Sequence, residues 1–464
     1  MDGSRIHFVN RFFYPDISAT SQILSGIAFG LAANGFDVHI TTSRQLYEDP
    51  AANLPAEEII DGVTIHRIPS TRFGRSSTFG RAFDYASFYA STVWHLLSRL
   101  RRGDVLITKT DPPILSVLGT AIGRIRGTKC INWLQDLFPE VASSADFGGT
   151  GGKLALASTL WLRNWSLRRA DHNVVIGDRM ALYLRSRRIC AENIHIIPNW
   201  SDPDVVHPIK TSPLRSEWDL AGKFVVGYSG NLGRAHEIKT LVDAIREIHE
   251  HRDDPIAQRI MFVFVGNGAL RRSLETKIQE AGLQNVRFFP YQPVERLAET
   301  LAVPDVHLVS LRPELEGFVV PSKIYGIMAA SRPGIFIGAT DGEVARLLRR
   351  YACGTTVQAE DGLTLADAIL KLAHDPEECN RMGIRARAAF EENFTKAISV
   401  NAWDTLLRNL MAPAAILVKT GPLSYTASRR RFHTHGRRLP LKLRPGRRLK
   451  QSPGRQASGR PPKR

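Results

Sequence analysis

Residues 312–333 read Arg-Pro-Glu-Leu-Glu-Gly-Phe-Val-Val-Pro-Ser-Lys-Ile-Tyr-Gly-Ile-Met-Ala-Ala-Ser-Arg-Pro, and this stretch decides the fold. The apolar runs on either side of it, 306–311 and 334–338, are typical of buried strands. Pro321 and Ser322 open a predicted short helix that ends before Pro333. The order strand, acidic loop, helix, strand indicates an open α/β sheet, in which ligands bind at the carboxyl ends of the strands.

The start of this predicted helix is a candidate anion site. The first N–H groups of a helix have no partner within the helix, and they attract negative charge. Lys323 adds a fixed positive charge at the same place. The acidic loop just before it supplies Glu316, followed by the flexible Gly317.

The same stretch resembles the donor-binding loop and helix of glycosyltransferase family 4, which has the GT-B fold. The resemblance is strongest to the exopolysaccharide and O-antigen branch of the colanic-acid type, where a Pro-Ser-Lys-x-Tyr/Phe helix ends in Met-Ala-Ala-x-Arg/Lys-Pro. Gly326 stands where the family usually has a second glutamate, and Ser331 replaces the usual glycine. The resemblance covers about residues 5–411.

This resemblance implies two doubly wound, Rossmann-like α/β domains that face a central cleft. Residues 1–205 would form the acceptor-side domain, to which a helix at 396–412 returns. Residues 214–395 would form the domain that binds a nucleotide-sugar donor. Residues 413–464 would form a disordered basic tail, because they are rich in Arg, Pro, Gly and Ser and poor in apolar residues.

The charge of the chain is concentrated in that tail. The net charge is +17, but residues 420–464 carry 14 Lys and Arg and no acidic residue, which leaves +3 for the first 419 residues. Such a tail is either a tether to a membrane surface or nucleic acid, or a solvated extension. The chain has no apolar run long enough to span a membrane and no signal-peptide pattern. Its four cysteines match no disulfide or metal framework, so we expect a reducing cytoplasm.

The second half restarts with a strand at 224–229 and a glycine-bearing loop, Gly230-Asn231-Leu232-Gly233-Arg234. Glycines allow backbone N–H groups to approach a phosphate, and Arg234 adds charge. The strand at 261–265 ends in Gly266-Asn267, which the family places in the donor domain. The resemblance therefore implies a set of donor-binding residues: Gly230, Asn231, Arg234, Gly266, Asn267, Gly317, Pro321, Ser322 and Tyr325.

Two helices of the first half combine aromatic and basic residues. Residues 79–102 carry a regular apolar stripe, listed in order as Phe79, Phe83, Ala86, Ala90, Val93, Leu97 and Leu100. The stripe is typical of a helix packed on a core, whereas the additional aromatic residues and flanking arginines also suit a lipid interface. Trp161 and Trp165 stand beside arginines in a second helix, which leaves the same two interpretations open.

Asp136 is the candidate for acceptor-side chemistry. It lies in the string Asp-Leu-Phe-Pro-Glu, which resembles the Asp-Leu-Trp-Pro-Glu of the branch. A carboxylate at a strand end that faces a cleft can bind acceptor hydroxyls or take a proton. An aspartate that caps a helix or stabilises a turn is the alternative.

Together these features predict a retaining glycosyltransferase, with retention implied by the resemblance alone. The donor would be a UDP- or GDP-sugar, and the acceptor a saccharide, in particular a lipid-linked one at the inner face of the cytoplasmic membrane. Lys323 and Arg234 would neutralise the departing diphosphate, and Glu316 would orient the sugar hydroxyls. We expect no cofactor and no metal. A GT-B sugar-nucleotide epimerase and, less in keeping with the motifs, a nucleic-acid binder using the Arg-rich tail are the alternatives.

Overall fold

The computed structural model describes residues 4–73, 78–143, 150–251 and 253–412. Within these residues the strands form two separate sheets, one of eight strands and one of six. The predicted disordered tail, 413–464, lies outside the described residues. No helix in the described part of the chain has the length and apolar character needed to cross a bilayer.

Most strands of the first sheet are buried along nearly their whole length, which is typical of parallel strands covered on both faces. Its spatial order is β3-β4-β2-β1-β5-β6-β7-β8, and every pair is parallel except β3 with β4. The strands are β1 (Ile6–Val9), β2 (Val38–Ser43), β3 (Glu57–Ile60), β4 (Val63–Ile68), β5 (Val105–Thr108), β6 (Lys129–Leu134), β7 (His172–Val175) and β8 (Ile194–Ile196).

Helices connect these strands and cover the sheet. They are α1 (Ala19–Ala33), α2 (Thr78–Arg99), α3 (Leu115–Arg126), α4 (Glu140–Ser143), α5 (Thr150–Arg169) and α6 (Asp178–Ser186). Helices α2, α3 and α5 pack side by side. Each of them precedes one of the neighbouring parallel strands β5, β6 and β7, so their carboxyl ends lie at the same edge of the sheet.

The second sheet is wholly parallel in the order β11-β10-β9-β12-β13-β14. The strands are β9 (Phe224–Ser229), β10 (Ile260–Val265), β11 (Val286–Phe289), β12 (Val306–Ser310), β13 (Gly334–Ile337) and β14 (Gly354–Val357). The helices of this half are α7 (Leu214–Glu217), α8 (Lys239–Glu250), α9 (Arg271–Glu280), α10 (Leu297–Ala302), α11 (Lys323–Ala329), α12 (Glu343–Tyr351), α13 (Gly362–His374), α14 (Pro376–Asn393) and α15 (Lys396–Met411).

The last helix, α15, returns to the first sheet. It packs against α1, and its Trp403 is fully buried. The ring of Trp403 lies 6.2 Å from that of Phe8 on β1 and 4.8 Å from that of Trp133 on β6. Burying so large an aromatic side chain gives the first domain a substantial part of its core.

Most of the apolar stripe of α2 does not pack on the core, contrary to one of its two interpretations. Phe79 and Phe83 are 83% and 61% exposed, and Ala86, Ala90 and Leu97 also face solvent. The helix instead buries Phe88, Leu96 and Leu100 against β1, β4 and β5. The regular apolar stripe is therefore mostly an exposed face, although Val93 packs against the core and its last member, Leu100, is buried in it.

Candidate functional site

Each sheet has a switch point, where neighbouring strands lead to connections that run in opposite directions. In the second sheet it lies between β9 and β12, and in the first between β1 and β5. Loops that diverge at such a point leave a crevice at the carboxyl ends of the strands, where α/β proteins bind their ligands. The predicted donor-binding residues follow β9, β10 and β12, so they surround the switch point of the second sheet.

The glycine loops after β9 and β10 touch each other. The backbone N–H of Gly230 donates to the carbonyl of Val265 at 2.9 Å, and that of Leu232 donates to Asn267 at 2.7 Å. Gly266 has φ +126°, and a Cβ there would lie 2.4 Å from the carbonyl oxygen of Gly230. Only glycine fits this close approach, because any side chain would separate the two loops.

Lys323 lies against this pair of loops. Its Nζ is 3.6 Å from the ring centre of Tyr228, and a Cβ on Gly230 would lie 3.8 Å from it. The Nζ is buried and has no hydrogen-bond partner among the described residues. Burial lowers the pKa of Lys323 to about 7. An anion that binds beside this buried lysine would stabilise its charged form and raise its pKa, because the anion takes the place of the water that burial removed.

His236 is a second group of this kind in the same place. Its Nδ1–H donates to the carbonyl oxygen of Ser310 at 2.7 Å, and its ring packs edge-on against Tyr228 at 5.6 Å. Burial, helped by nearby Lys323, lowers the pKa of His236 to about 4. The imidazole is therefore neutral at pH 7, whereas Lys323 can bring positive charge to the crevice.

The other predicted donor residues occupy varied positions. Asn231, Arg234 and Asn267 are exposed on the loops. Ser322 stands at the N-cap of α11 without capping it through its side chain, and α11 is only seven residues long. Tyr325 is 2% exposed and packs against Phe394. A direct contact between Tyr325 and a donor stays a prediction, and so do the donor contacts of the loop residues.

Glu316 lies in the acidic loop as predicted from the sequence, but its carboxylate is engaged by a helix. Oε1 of Glu316 accepts a hydrogen bond from the backbone N–H of Glu343, the first residue of α12, at 2.8 Å. Burial, with the nearby Glu343 carboxylate, raises the pKa of Glu316. Gly317, with φ +82°, then turns the chain beside Arg179 of the first domain. The role of Glu316 in orienting a sugar stays a prediction.

Asp136 lies across the cleft, just after β6 in the first domain. It lines a small cavity together with Lys109, Ser116 and Arg163. The carboxylate is open to solvent at the cavity mouth, yet the surrounding protein and the charge of Asp111 raise the pKa of Asp136 to about 6. A carboxyl group that titrates near neutrality is suited to exchanging a proton with a hydroxyl.

Sequence reasoning missed Lys109 as part of the cavity that Asp136 lines. It is fully buried at the end of β5, where its Nζ donates to the carbonyl of Thr20 at 2.8 Å and lies 4.3 Å from the ring centre of Trp133. Burial lowers the pKa of Lys109 to about 7, while Asp111 and Asp136 partly offset this. Its position directly after a buried strand, Val105 to Thr108, is the signal that could have identified it.

The two domains contact each other beside these sites. The backbone N–H of Leu137 donates to the carbonyl of Phe318 at 2.9 Å, and the rings of Tyr183 and Phe318 meet edge-on at 4.9 Å. The acidic loop of the second domain is therefore held against the segment that carries Asp136.

Comparisons with known proteins agree with this architecture. The family model "Glycosyl transferase 4-like domain" matches residues 19–200, and "Glycosyl transferases group 1" matches residues 213–389. The chain is 27% identical over 354 residues to a probable glycosyltransferase of Pseudomonas aeruginosa, WbjE, covering 75% of this chain and 85% of that one. It is 26% identical over 355 residues to a candidate colanic acid biosynthesis glycosyl transferase of Escherichia coli strain K12, WcaI, covering 73% and 84%.

A solved structure shares the fold. The Anabaena protein HepE, crystallised in complex with UDP and glucose, superposes with a TM-score of 0.66 at 16% identity, covering 88% of this chain and all of that one. The prediction of two Rossmann-like domains of the GT-B type is thereby confirmed.

Proposed function

The chain belongs to the glycosyltransferases that join a 4-like domain to a group 1 domain, and we propose that it transfers a sugar from a UDP- or GDP-sugar to a lipid-linked saccharide. The transfer would retain the anomeric configuration and would serve the biosynthesis of a cell-surface polysaccharide. The colanic acid assignment of WcaI and the UDP and glucose bound to HepE support this choice.

The observation that carries the donor assignment is the buried ammonium of Lys323, which has no hydrogen-bond partner in the described part of the chain. It lies where the loops after β9 and β10 meet, beside Gly230. A nucleoside diphosphate that leaves during transfer develops negative charge, and a preorganised cation in a dry crevice stabilises it strongly. We propose that Lys323 contacts the diphosphate, that the backbone of the glycine loops supports it, and that neither a metal nor a cofactor takes part.

The acceptor assignment rests on Asp136 and the cavity behind it. The carboxyl group lies on the domain opposite Lys323 and titrates near neutrality. Such a group can hold the acceptor hydroxyl and accept its proton as the new bond forms. We propose that Asp136 binds the hydroxyl that receives the sugar.

An exposed apolar face supports a lipid-linked acceptor. Helices α2, α3 and α5 present large apolar side chains to solvent in the first domain, namely Phe79, Phe83, Trp94, Ile125, Leu154 and Trp161. At their carboxyl ends the same helices carry exposed arginines, namely Arg99, Arg124, Arg126, Arg168 and Arg169. Apolar residues bordered by arginines fit an anionic bilayer surface, into which aromatic rings insert while guanidinium groups meet phosphate. We propose that this face holds the enzyme at the inner face of the cytoplasmic membrane.

Nucleotide binding and transfer can be tested separately. Titration of the full chain with UDP and with GDP should raise its melting temperature with one of them, because a ligand stabilises the folded state by mass action. Incubation of the matching radiolabelled nucleotide-sugar with a lipid extract should then move the label into the lipid phase. Conversion of the donor to a different nucleotide-sugar without any acceptor would instead identify an epimerase. Loss of activity on removal of residues 419–464 alone would favour the nucleic-acid alternative.

A further inference from the structure

Helices α6 and α12 each have a glycine at the N-cap position and receive their N-terminal cap from a glutamate distant in sequence. Helix α6 has Gly177 at its N-cap, and α12 has Gly342. Glycine offers no side-chain oxygen to the free N–H groups of a helix start. The missing acceptor is supplied by Glu343 for α6 and by Glu316 for α12.

The glutamate that caps α6 comes from the other domain. Oε2 of Glu343 accepts a hydrogen bond from the backbone N–H of Arg179 at 2.9 Å. A Cβ on Gly177 would lie 2.6 Å from the carboxyl carbon of Glu343, so the glycine leaves the space that the carboxylate fills. Arg179 completes the contact with an ion pair from its Nη1 to Asp341 Oδ2 at 3.2 Å.

The second cap links this contact to the candidate donor site. The backbone N–H of Glu343 donates to Glu316 Oε1 at 2.8 Å, and a Cβ on Gly342 would lie 2.4 Å from Glu316 Oε2. Glu343 thus holds the first domain with its side chain and Glu316 with its backbone. Both carboxylates lie near the positive end of a helix dipole, which favours their charged forms, but burial is the larger effect and raises the pKa of both Glu316 and Glu343.

We propose that Glu343 is a positioning residue that couples closure of the cleft to the placement of Glu316. When the domains close, the start of α6 takes the Glu343 carboxylate, and this fixes the start of α12 on which Glu316 rests. When the domains open, the start of α6 leaves the Glu343 carboxylate. The start of α12, on which Glu316 rests, is then no longer anchored to the first domain. The inference rests on the proposed sugar transfer for its kinetic readout, whereas the closure itself can be measured without turnover.

Gly177→Ala is the sharpest test of the coupling. The φ of Gly177 is −166°, an extended conformation open to any residue, so alanine should not strain α6. Its methyl group displaces the carboxylate of Glu343 without touching the donor loops. We expect turnover to fall about 10- to 100-fold, as for a misplaced catalytic group, with nucleoside diphosphate affinity within about twofold of the wild type. Glu343→Gln, which keeps the shape and removes the charge, should show a smaller loss of the same kind.

Closure can be followed by fluorescence transfer in the full chain. Cys190 is exposed in the first domain, the other three cysteines are buried, and Leu363→Cys would add an exposed thiol in the second. Saturating UDP or GDP should bring the labels closer in the wild type, and less so in the Gly177→Ala and Glu343→Gln proteins. Wild-type turnover and closure in both variants would overturn the proposal. Failure of the wild type to bind either nucleotide would instead count against the proposed function.

Discussion

The ammonium of Lys323 lies 3.6 Å from the ring centre of Tyr228, in a crevice where it has no hydrogen-bond partner among the described residues. The aromatic face attracts the cation but supplies no acceptor for its three N–H groups. This arrangement keeps the charge available for an incoming anion, and it makes the anion affinity dependent on pH.

We expect the affinity for UDP or GDP to fall as the pH rises above about 7. Burial lowers the pKa of Lys323 to about 7 in the free protein, and a bound diphosphate favours the charged form. Above that pH a proton must be taken up on binding, so the affinity should fall by up to about tenfold per pH unit. Isothermal titration calorimetry from pH 6 to pH 9 measures this slope.

Two variants show whether Lys323, rather than another titrating group, causes this pH dependence of nucleotide affinity. Lys323→Arg stays charged throughout this range, so its affinity should lose most of the slope. Lys323→Ala should bind more weakly at pH 6 by roughly 1.5–3 kcal/mol, the contribution of a charge-assisted contact. A folded Lys323→Ala protein with wild-type affinity and wild-type kcat/KM would remove Lys323 from the site.

Asp136→Asn should reduce transfer while leaving nucleotide affinity unchanged, because Asp136 lies on the opposite domain from Lys323. The surrounding protein raises the pKa of Asp136 to about 6, so wild-type kcat/KM should decline below about pH 6 as the carboxylate takes up a proton. Asparagine cannot titrate, and the variant should lack this decline. A loss of UDP or GDP binding in the variant would move Asp136 to the donor side.

Much of this architecture follows from local sequence. Several strands of the second sheet are short, mainly apolar segments, such as Ile260 to Val265, and each loop with candidate residues comes directly after a strand. Because parallel strands bring their carboxyl ends to one edge, the loops after β9, β10 and β12 could be predicted to meet. An open α/β sheet was predicted from this order, whereas the family and its two-domain fold were predicted correctly from the resemblance carried by residues 312–333.

The orientation of α2 could not be read in the same way. A period of 3.6 residues identifies a stripe, but it does not say which side of the helix faces the sheet. Here the buried side carries Phe88 and Leu96 together with His95, which packs against His66 of β4. Because the buried side of α2 includes polar residues, its apolar pattern is less regular than that of the stripe that faces solvent.

The contact between Glu343 and Arg179 was also beyond sequence reasoning. The two residues are 164 positions apart and lie in different domains. Glu343 is the first residue of its own helix, and a glycine N-cap such as Gly177 carries no sign of the group that fills its place. Such contacts depend on how two domains meet, which no local pattern encodes.

Four histidines form a stack between α2 and the first sheet, and this makes the first domain sensitive to acid. Ring centres are 4.9 Å apart between His7 and His39, 5.5 Å between His39 and His66, and 5.0 Å between His66 and His95. The charged groups that face the stack are Asp37, Glu57 and Asp104, with Arg5 and Arg99 behind them. Burial is the largest cause that lowers the pKa of His39 and His95 to about 4, and it also lowers that of His66.

The free energy of unfolding should therefore fall between pH 7 and pH 5. The unfolded chain binds protons near pH 6.5, whereas His39 and His95 resist protonation in the folded state, so stability is lost as the pH falls through this window. Each of these two imidazoles should contribute about 1–2 kcal/mol to the loss. Urea denaturation at the two pH values measures it. His95→Gln should reduce the pH dependence, while the exposed His207→Gln should leave it unchanged; equal slopes in all three proteins would contradict the assignment.

The exposed face of α2, α3 and α5 should bind an anionic bilayer without help from the basic tail. The tail would bind any anionic surface, so the experiment uses a chain that ends at Val418 and vesicles of phosphatidylcholine with phosphatidylglycerol. Trp94 and Trp161 are 78% and 63% exposed, and their rings gain free energy at the interface. Trp94→Ser combined with Trp161→Ser should weaken the binding to vesicles about 30-fold, since losing each exposed ring from a bilayer contact costs about 1 kcal/mol and the pair therefore costs about 2 kcal/mol. High salt should weaken the binding of the wild-type sequence, because it screens the arginines at the helix ends.

Leu363→Ser, which removes an exposed apolar side chain of the second domain, is the matched control and should bind like the wild type. A shortened chain that stays in the supernatant at both salt concentrations would show that this face does not meet lipid.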